Sequence, residues 1–210
     1  MNPMWNVDYT TDRHNRLLSR RIHHMIGFEF ENGSNFTAIF NREFERLDVP
    51  FEIRPGVTIP AGTYRFNTPS LSYDTDPSRR VYSRVRYSPQ TFFDGTRTDY
   101  RGTFGVRPTN RVAVEATFSR SDVDLPWGTF VADLGLLRFD LALSPEMTLR
   151  TLTQYNSTTD SVSTSVRFNW ICFPGSDLYI AYDEFRADIP GRPQLQNRQL
   201  AVKMTYLLSR

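Results

Sequence analysis

The residues best equipped for chemistry in this 210-residue chain are two histidines, a few acidic groups and a scatter of arginines. His23 and His24 supply two imidazoles, a common metal-ligand type. Adjacent residues of a strand point to opposite faces, however, so the pair cannot easily chelate one ion. Asp122 and Asp124 share a face and, with Asp133, could offer oxygen ligands to calcium in a loop. Calcium usually takes about six or more such ligands, so a solvated loop is the stronger reading. Ser, His and Asp all occur, but no Gly-x-Ser-x-Gly elbow or comparable nucleophile context is present. Glu29 and Glu31 point one way along one strand and read as a water-facing pair. The single Cys172 excludes an internal disulfide, and no Cys/His spacing resembles a zinc site. Catalytic residues, a cofactor and a metal are therefore not expected, and the chain does not read as an enzyme.

The charged residues make more sense once the elements that carry them are considered. Alternation with period two dominates the chain, the pattern of strands with two unlike faces. Between Arg97 and Arg107 the even positions Tyr100, Phe104 and Val106 are apolar, while the odd ones include Arg97, Asp99, Arg101 and Arg107. Val112, Val114, Ala116 and Phe118 likewise oppose Arg111, Glu115 and Thr117. Leu149 opposes Arg150, Val166 and Phe168 oppose Arg167, and Val202 and Met204 oppose Lys203. Weaker alternation covers Ile22 to Glu31, Asn35 to Glu45, Thr63 to Tyr73 and Arg80 to Phe93. Tyr179 to Phe185 reads as a short strand, and residues 1–21 as a weaker N-terminal strand and loop. In Phe130 to Leu143 the apolar set moves from even to odd positions, which predicts a β-bulge near Gly135.

This gives about twelve strands, many near the roughly 9 to 11 residues that a tilted membrane strand needs. Short turns at Asn32-Gly33-Ser34, Thr75 to Ser78, Pro108 to Asn110, Ser144 to Glu146 and Pro174 to Ser176 define one end of the sheet, side A. The other end, side B, is expected to hold longer loops at Leu47 to Gly62, Ser121 to Gly128 and Arg186 to Gln196, together with tight connections at Asp94-Gly95 and Thr158 to Asp160. Such sorting suits an antiparallel up-and-down transmembrane β-barrel, complete in itself or the C-terminal part of a larger one. The rings agree: Tyr100, Phe118, Phe130 and Tyr155 fall near side B and Trp170 and Tyr206 near side A, as aromatic girdles would. The row Arg97, Asp99, Arg101, Arg107, Arg111, Glu115, Arg150, Arg167 and Lys203 would then line the lumen. Those arginines are the best functional candidates, although paired with acids they can simply fill a barrel.

Composition narrows the partners. Hydrophobic residues make up 39% and aromatics 14%, while 25 basic and 23 acidic residues leave a net charge of only +2. The charge is scattered, so nucleic acid is not indicated. No basic stretch followed by an apolar run marks a signal peptide, and no long apolar run marks a membrane helix. Outer-membrane lipid is the expected partner. A passive or selective pore, a soluble β-barrel ligand-binding protein and an unrecognised hydrolase are the alternatives.

Several loop and turn sequences carry a family resemblance. Ser121-Asp122-Val123-Asp124-Leu125-Pro126-Trp127-Gly128-Thr129-Phe130, Leu136-Leu137-Arg138-Phe139 and Gln154-Tyr155-Asn156-Ser157 belong to it. So do Pro174-Gly175-Ser176-Asp177-Leu178-Tyr179 and Lys203-Met204-Thr205-Tyr206-Leu207-Leu208. From about Pro60 onward the chain resembles the C-terminal region of a family of bacterial outer-membrane proteins. In that family a carbohydrate-binding-module family 9-like domain precedes a β-barrel domain of unknown function. The resemblance implies a barrel in the outer membrane of a Gram-negative bacterium, acting as anchor or channel for the preceding domain. The binding domain and signal peptide are not in this sequence, so it is expected to be a C-terminal fragment, with the missing N-terminal domain as a further partner, and the family's sugar-binding role does not carry over to it.

Overall fold

In the computed structural model, which describes residues 1–189 and 192–207, the chain is all-β. Its strands are β1 (Asn2–Thr11), β2 (Leu17–Glu29), β3 (Asn35–Leu47), β4 (Phe51–Arg54), β5 (Val57–Ile59), β6 (Gly62–Asp74) and β7 (Val81–Phe92). They continue with β8 (Gly95–Thr109), β9 (Val112–Leu125), β10 (Gly128–Ser144), β11 (Met147–Asn156), β12 (Ser161–Phe173), β13 (Ser176–Ile189) and β14 (Arg192–Thr205). Twelve of them form one up-and-down sheet in chain order, with β1 and β14 as its end strands. The other two, β4 and β5, make a separate small hairpin.

Cross-strand register explains why alternation was readable. Directly paired residues share a face, so one row crosses five strands as Leu141, Leu149, Phe168, Ile180 and Val202. The next row on the opposite face is Asp140, Arg150, Arg167, Ala181 and Ala201. A slip of one residue in any pair would mix these rows, so the faces lock the register. The same sorting holds earlier, where Ile26, Ala38 and Leu71 align on one face and Gly27, Thr37 and Ser72 on the other. His23 pairs with Asn41 and His24 with Phe40, which sends the two imidazoles to opposite faces.

By Cα proximity the chain divides into two compact units, each with its own packing. The first comprises Met1–Asp76, Arg84–Gly102 and Arg120–Val131. Its buried cluster is Val57, Ile59, Tyr64, Phe66, Phe93, Val123 and Leu125, with Leu47, Ile53, Phe92, Trp127 and Phe130 against it. Ile59 is fully enclosed at 0% exposure. The β4–β5 hairpin thus covers the face on which Tyr64 and Phe66 stand, and the Phe93 ring meets both edge-on at centroid distances of 5.0 and 4.9 Å. At the β1–β2 turn Asp12 accepts the backbone N–H groups of His14 and Arg16, both at 2.8 Å. Those bonds and the Arg16 guanidinium hold its carboxyl below the ordinary carboxylate range.

The second unit comprises Pro77–Ser83, Thr103–Ser119 and Ala132–Arg210. It holds the five-strand rows and, at its β7 edge, a ring lying over a glycine. A Cβ on Gly105 would stand 2.0 Å from Tyr82 Cζ, so only glycine leaves room for that ring.

Three sequence expectations need correction and a fourth is refined. Ser121 to Gly128 is not a long loop: β9 runs to Leu125 and β10 starts at Gly128. Arg186 to Gln196 is largely strand, with Arg186 paired to Leu195 and Ile189 to Arg192. Against β11 no bulge occurs near Gly135, because that pairing runs unbroken from Leu134 to Ala142 and shifts only between Ala142 and Ser144. The long connection from Leu47 to Gly62 does exist, but it is folded into β4–β5. The fall of Arg210 at side A lies outside the described residues.

Candidate functional site: the polar face and its arginines

The residues expected to line a lumen fall into separate groups, one set in each unit. In the first unit Arg97 donates through Nε to Asp99 Oδ1 at 2.9 Å and lies over the Phe92 ring at 5.4 Å. Asp99 also accepts from Gln90 at 2.7 Å and from Ser121 at 2.5 Å. Arg97 and Asp99 therefore neutralise each other inside a hydrogen-bonded cluster. Arg101 is exposed and joins no ion pair among the described residues.

In the second unit Glu115 accepts the Tyr82 hydroxyl at 2.7 Å, and the Arg107 guanidinium sits 4.8 Å from the Tyr82 ring centroid. Thr103 and Thr117 hydrogen-bond at 2.9 Å on the same face. Gly105 is what lets the ring lie down, so Gly105→Ala must lift Tyr82 off both Glu115 and Arg107. A destabilisation of about 1–3 kcal/mol is expected in a urea titration of the refolded protein. Tyr82→Phe in the same assay keeps the packing and loses only the hydroxyl bond, so its effect is smaller.

Further along this face a cavity of about 730 Å³ is bordered by Arg107, Arg111, Arg138, Arg150 and Arg167 together with Asp140. The arginines are not equivalent. Arg167 is clamped by Asp183, with Nη2 at 2.8 and 2.9 Å from the two carboxylate oxygens, and also donates to the Val166 and Tyr182 carbonyls. Arg150 reaches Asp140 only at 4.0 Å, with its side chain 73% exposed. Arg111 and Arg138 are exposed and make no ion pair among the described residues. Lys203, paired with Tyr179, lies on the same face of β14. Arg138 and Asp183 were not singled out by sequence. Arg138 shares the even parity of Asp140 in β10, a signal hidden by the expected bulge.

On the other face large hydrophobics stand exposed: Phe104 at 59%, Phe118 at 52%, Val202 at 62% and Met204 at 71%. Of the expected girdle, Tyr100, Phe118, Tyr155, Trp170 and Tyr206 are exposed rings. Phe130 is a correction. It packs against the buried cluster with Arg54 over its ring at 5.3 Å, because the hairpin supplies an apolar cover on the side it faces. Beyond Phe118 the same face of β9 turns to Arg120, Asp122 and Asp124. Arg120 pairs with Asp122 at 2.9 Å, and no group of three or more His, Cys, Asp or Glu suited to a metal occurs among the described residues.

No family model matches the chain, and no curated protein matches it. Among solved structures it is similar to the NanC porin in a rhombohedral crystal form, at 11% sequence identity and a TM-score of 0.39, over 90% of this chain and 94% of that one.

Proposed function

We propose that this chain is a membrane-spanning β-barrel of the bacterial outer membrane, or a contiguous set of strands from a larger one, with its polar face lining a path for small solutes. One observation carries the reading. Registered rows place Leu141, Leu149, Phe168, Ile180 and Val202 together across five neighbouring strands, with charged residues on the reverse. An apolar face of that extent, with rings and aliphatics left exposed, is unstable in water and suited to hydrocarbon. The strands of the sheet run from 10 to 17 residues, enough to cross the apolar layer and in several cases to project beyond it. On β9 the projecting part is where Arg120, Asp122 and Asp124 replace Val112 to Phe118 on the lipid side.

Because hydrocarbon offers no hydrogen bonds, each end strand, β1 and β14, takes a strand partner in the bilayer on this reading. In a longer protein of the family that the sequence resembles, the same strands would anchor the preceding domain. Membrane fractionation tests the proposal: the chain is expected in the detergent-extracted membrane fraction, and recovery as a folded monomer without detergent would contradict it. Planar-bilayer recording then separates path from anchor, since discrete conductance steps are expected of a path and none of an anchor alone.

A further inference from the structure

The cavity of the second unit carries a charge imbalance that its own residues do not relieve. Five guanidinium groups border about 730 Å³ of space, and Asp140 is the one carboxylate among the lining residues. Arg167 is already neutralised by Asp183 at 2.8 Å, and Arg107 is engaged by the Tyr82 ring and by the Pro77 carbonyl. That leaves Arg111, Arg138 and Arg150 directed at one space with only a 4.0 Å contact to Asp140 between them. Like charges gathered around a half-open, partly apolar space repel, and repulsion is reduced when an anion sits among them. Guanidinium groups are suited to this because each can present two parallel N–H donors to a carboxylate or phosphate.

We infer that this cavity is a binding site for a small organic oxyanion carrying more than one negative charge on carboxylate or phosphate groups. Arg138 and Arg150 bind the oxyanion, Arg111 adds to the field, and the Arg167–Asp183 pair holds the floor in place. Leu152 and Ala142, also on the lining, give an apolar surface for the carbon body of the ligand. The volume is in the range of small-molecule sites, roughly 300–1,000 Å³. The inference rests on reading this face as water-filled, and it makes the proposed path one that takes anions in preference to cations.

The test is calorimetric titration of the refolded full chain in zwitterionic detergent with citrate and, separately, pyrophosphate, with glucose as the neutral probe. Citrate, pyrophosphate or both are expected to bind and glucose is not. The arm that binds more tightly identifies the preferred oxyanion. Arg138→Gln with Arg150→Gln is expected to weaken binding at least about tenfold, and added salt to weaken it further. Arg42→Gln, an exposed arginine of β3 that does not line the cavity, is expected to leave it unchanged. Arg138 and Arg150 are both exposed, so their removal leaves the fold intact, checked by an unchanged urea midpoint. Absence of binding in both arms, or binding indifferent to Arg138 and Arg150, would overturn the site while leaving the barrel reading standing. Binding through these arginines in a protein that needs no detergent would keep the site and remove the membrane.

Discussion

Val166→Arg is expected to cost about 2–4 kcal/mol of folding free energy in lipid vesicles, whereas Arg167→Gln is expected to cost no more than about 1 kcal/mol. The two residues are neighbours on β12 and differ only in face. Val166 aligns with Thr151 on β11 and Tyr182 on β13, midway between the Trp170 row and the Val162 row. On the membrane reading that position is near the bilayer midplane, where a guanidinium has no water and no partner. Arg167, in contrast, lies with Arg150 on the polar face and pairs with Asp183, both side chains being 34% and 43% exposed. Solvent screens such a pair, so losing it releases little. Urea titrations of both variants in vesicles measure the contrast. Equal costs, or a larger cost for Arg167→Gln, would mean that the faces are assigned the wrong way round.

Ile59→Ala is expected to destabilise the first unit by about 2–5 kcal/mol. Ile59 is fully enclosed, and it sits in a strand of only three residues. The β4–β5 hairpin is therefore held by packing against Tyr64, Phe66, Phe93, Val123 and Leu125, and a cavity at its centre loosens the whole attachment. Limited proteolysis between Leu47 and Gly62 gives an independent readout: faster cleavage is expected in Ile59→Ala. Unchanged stability and cleavage would show that the hairpin does not depend on this contact.

The faces were legible in sequence because pairing in a sheet preserves parity. Leu149, Val166 and Val202 opposite Arg150, Arg167 and Lys203 could be sorted without coordinates, and the register of β11 to β14 keeps that sorting. What alternation could not show is what covers each face. Phe130, Leu134 and Leu136 are apolar residues at even positions of β10, and Leu137, Phe139 and Leu141 are apolar at odd positions. Read alone, that change looks like a bulge at Gly135. It is instead one unbroken strand whose even face is apolar where the Phe130 end meets the buried cluster and charged from Arg138 onward. Phe130 was assigned to the girdle for the same reason.

The missed strand ends have a related cause. Ser119 and Ser121 alternate with Arg120 and Asp122 at the end of β9, so both faces are polar there and the contrast that marks a strand disappears. Pro193 and the polar run around it hid the pairing of Arg186 to Ile189 with the start of β14 in the same way. The β4–β5 hairpin left only Phe51, Ile53, Val57 and Ile59 as apolar residues, too few to separate a strand from a loop. The candidate site was half visible: its arginines except Arg138 were named, while their division into neutralised and unpaired groups depends on Asp99, Glu115, Asp140 and Asp183 and on distances that sequence does not contain.

The central claim, that one face of this sheet meets hydrocarbon, is tested most directly by spin-label accessibility along β12. In a Cys172→Ser background, single cysteines at positions 165, 166, 167 and 168 are labelled after refolding into vesicles. Labels at 166 and 168 are expected to be relaxed by oxygen, which partitions into the bilayer, and labels at 165 and 167 by a water-soluble nickel chelate. Access by the nickel chelate at all four positions, or the reverse alternation, would contradict the account.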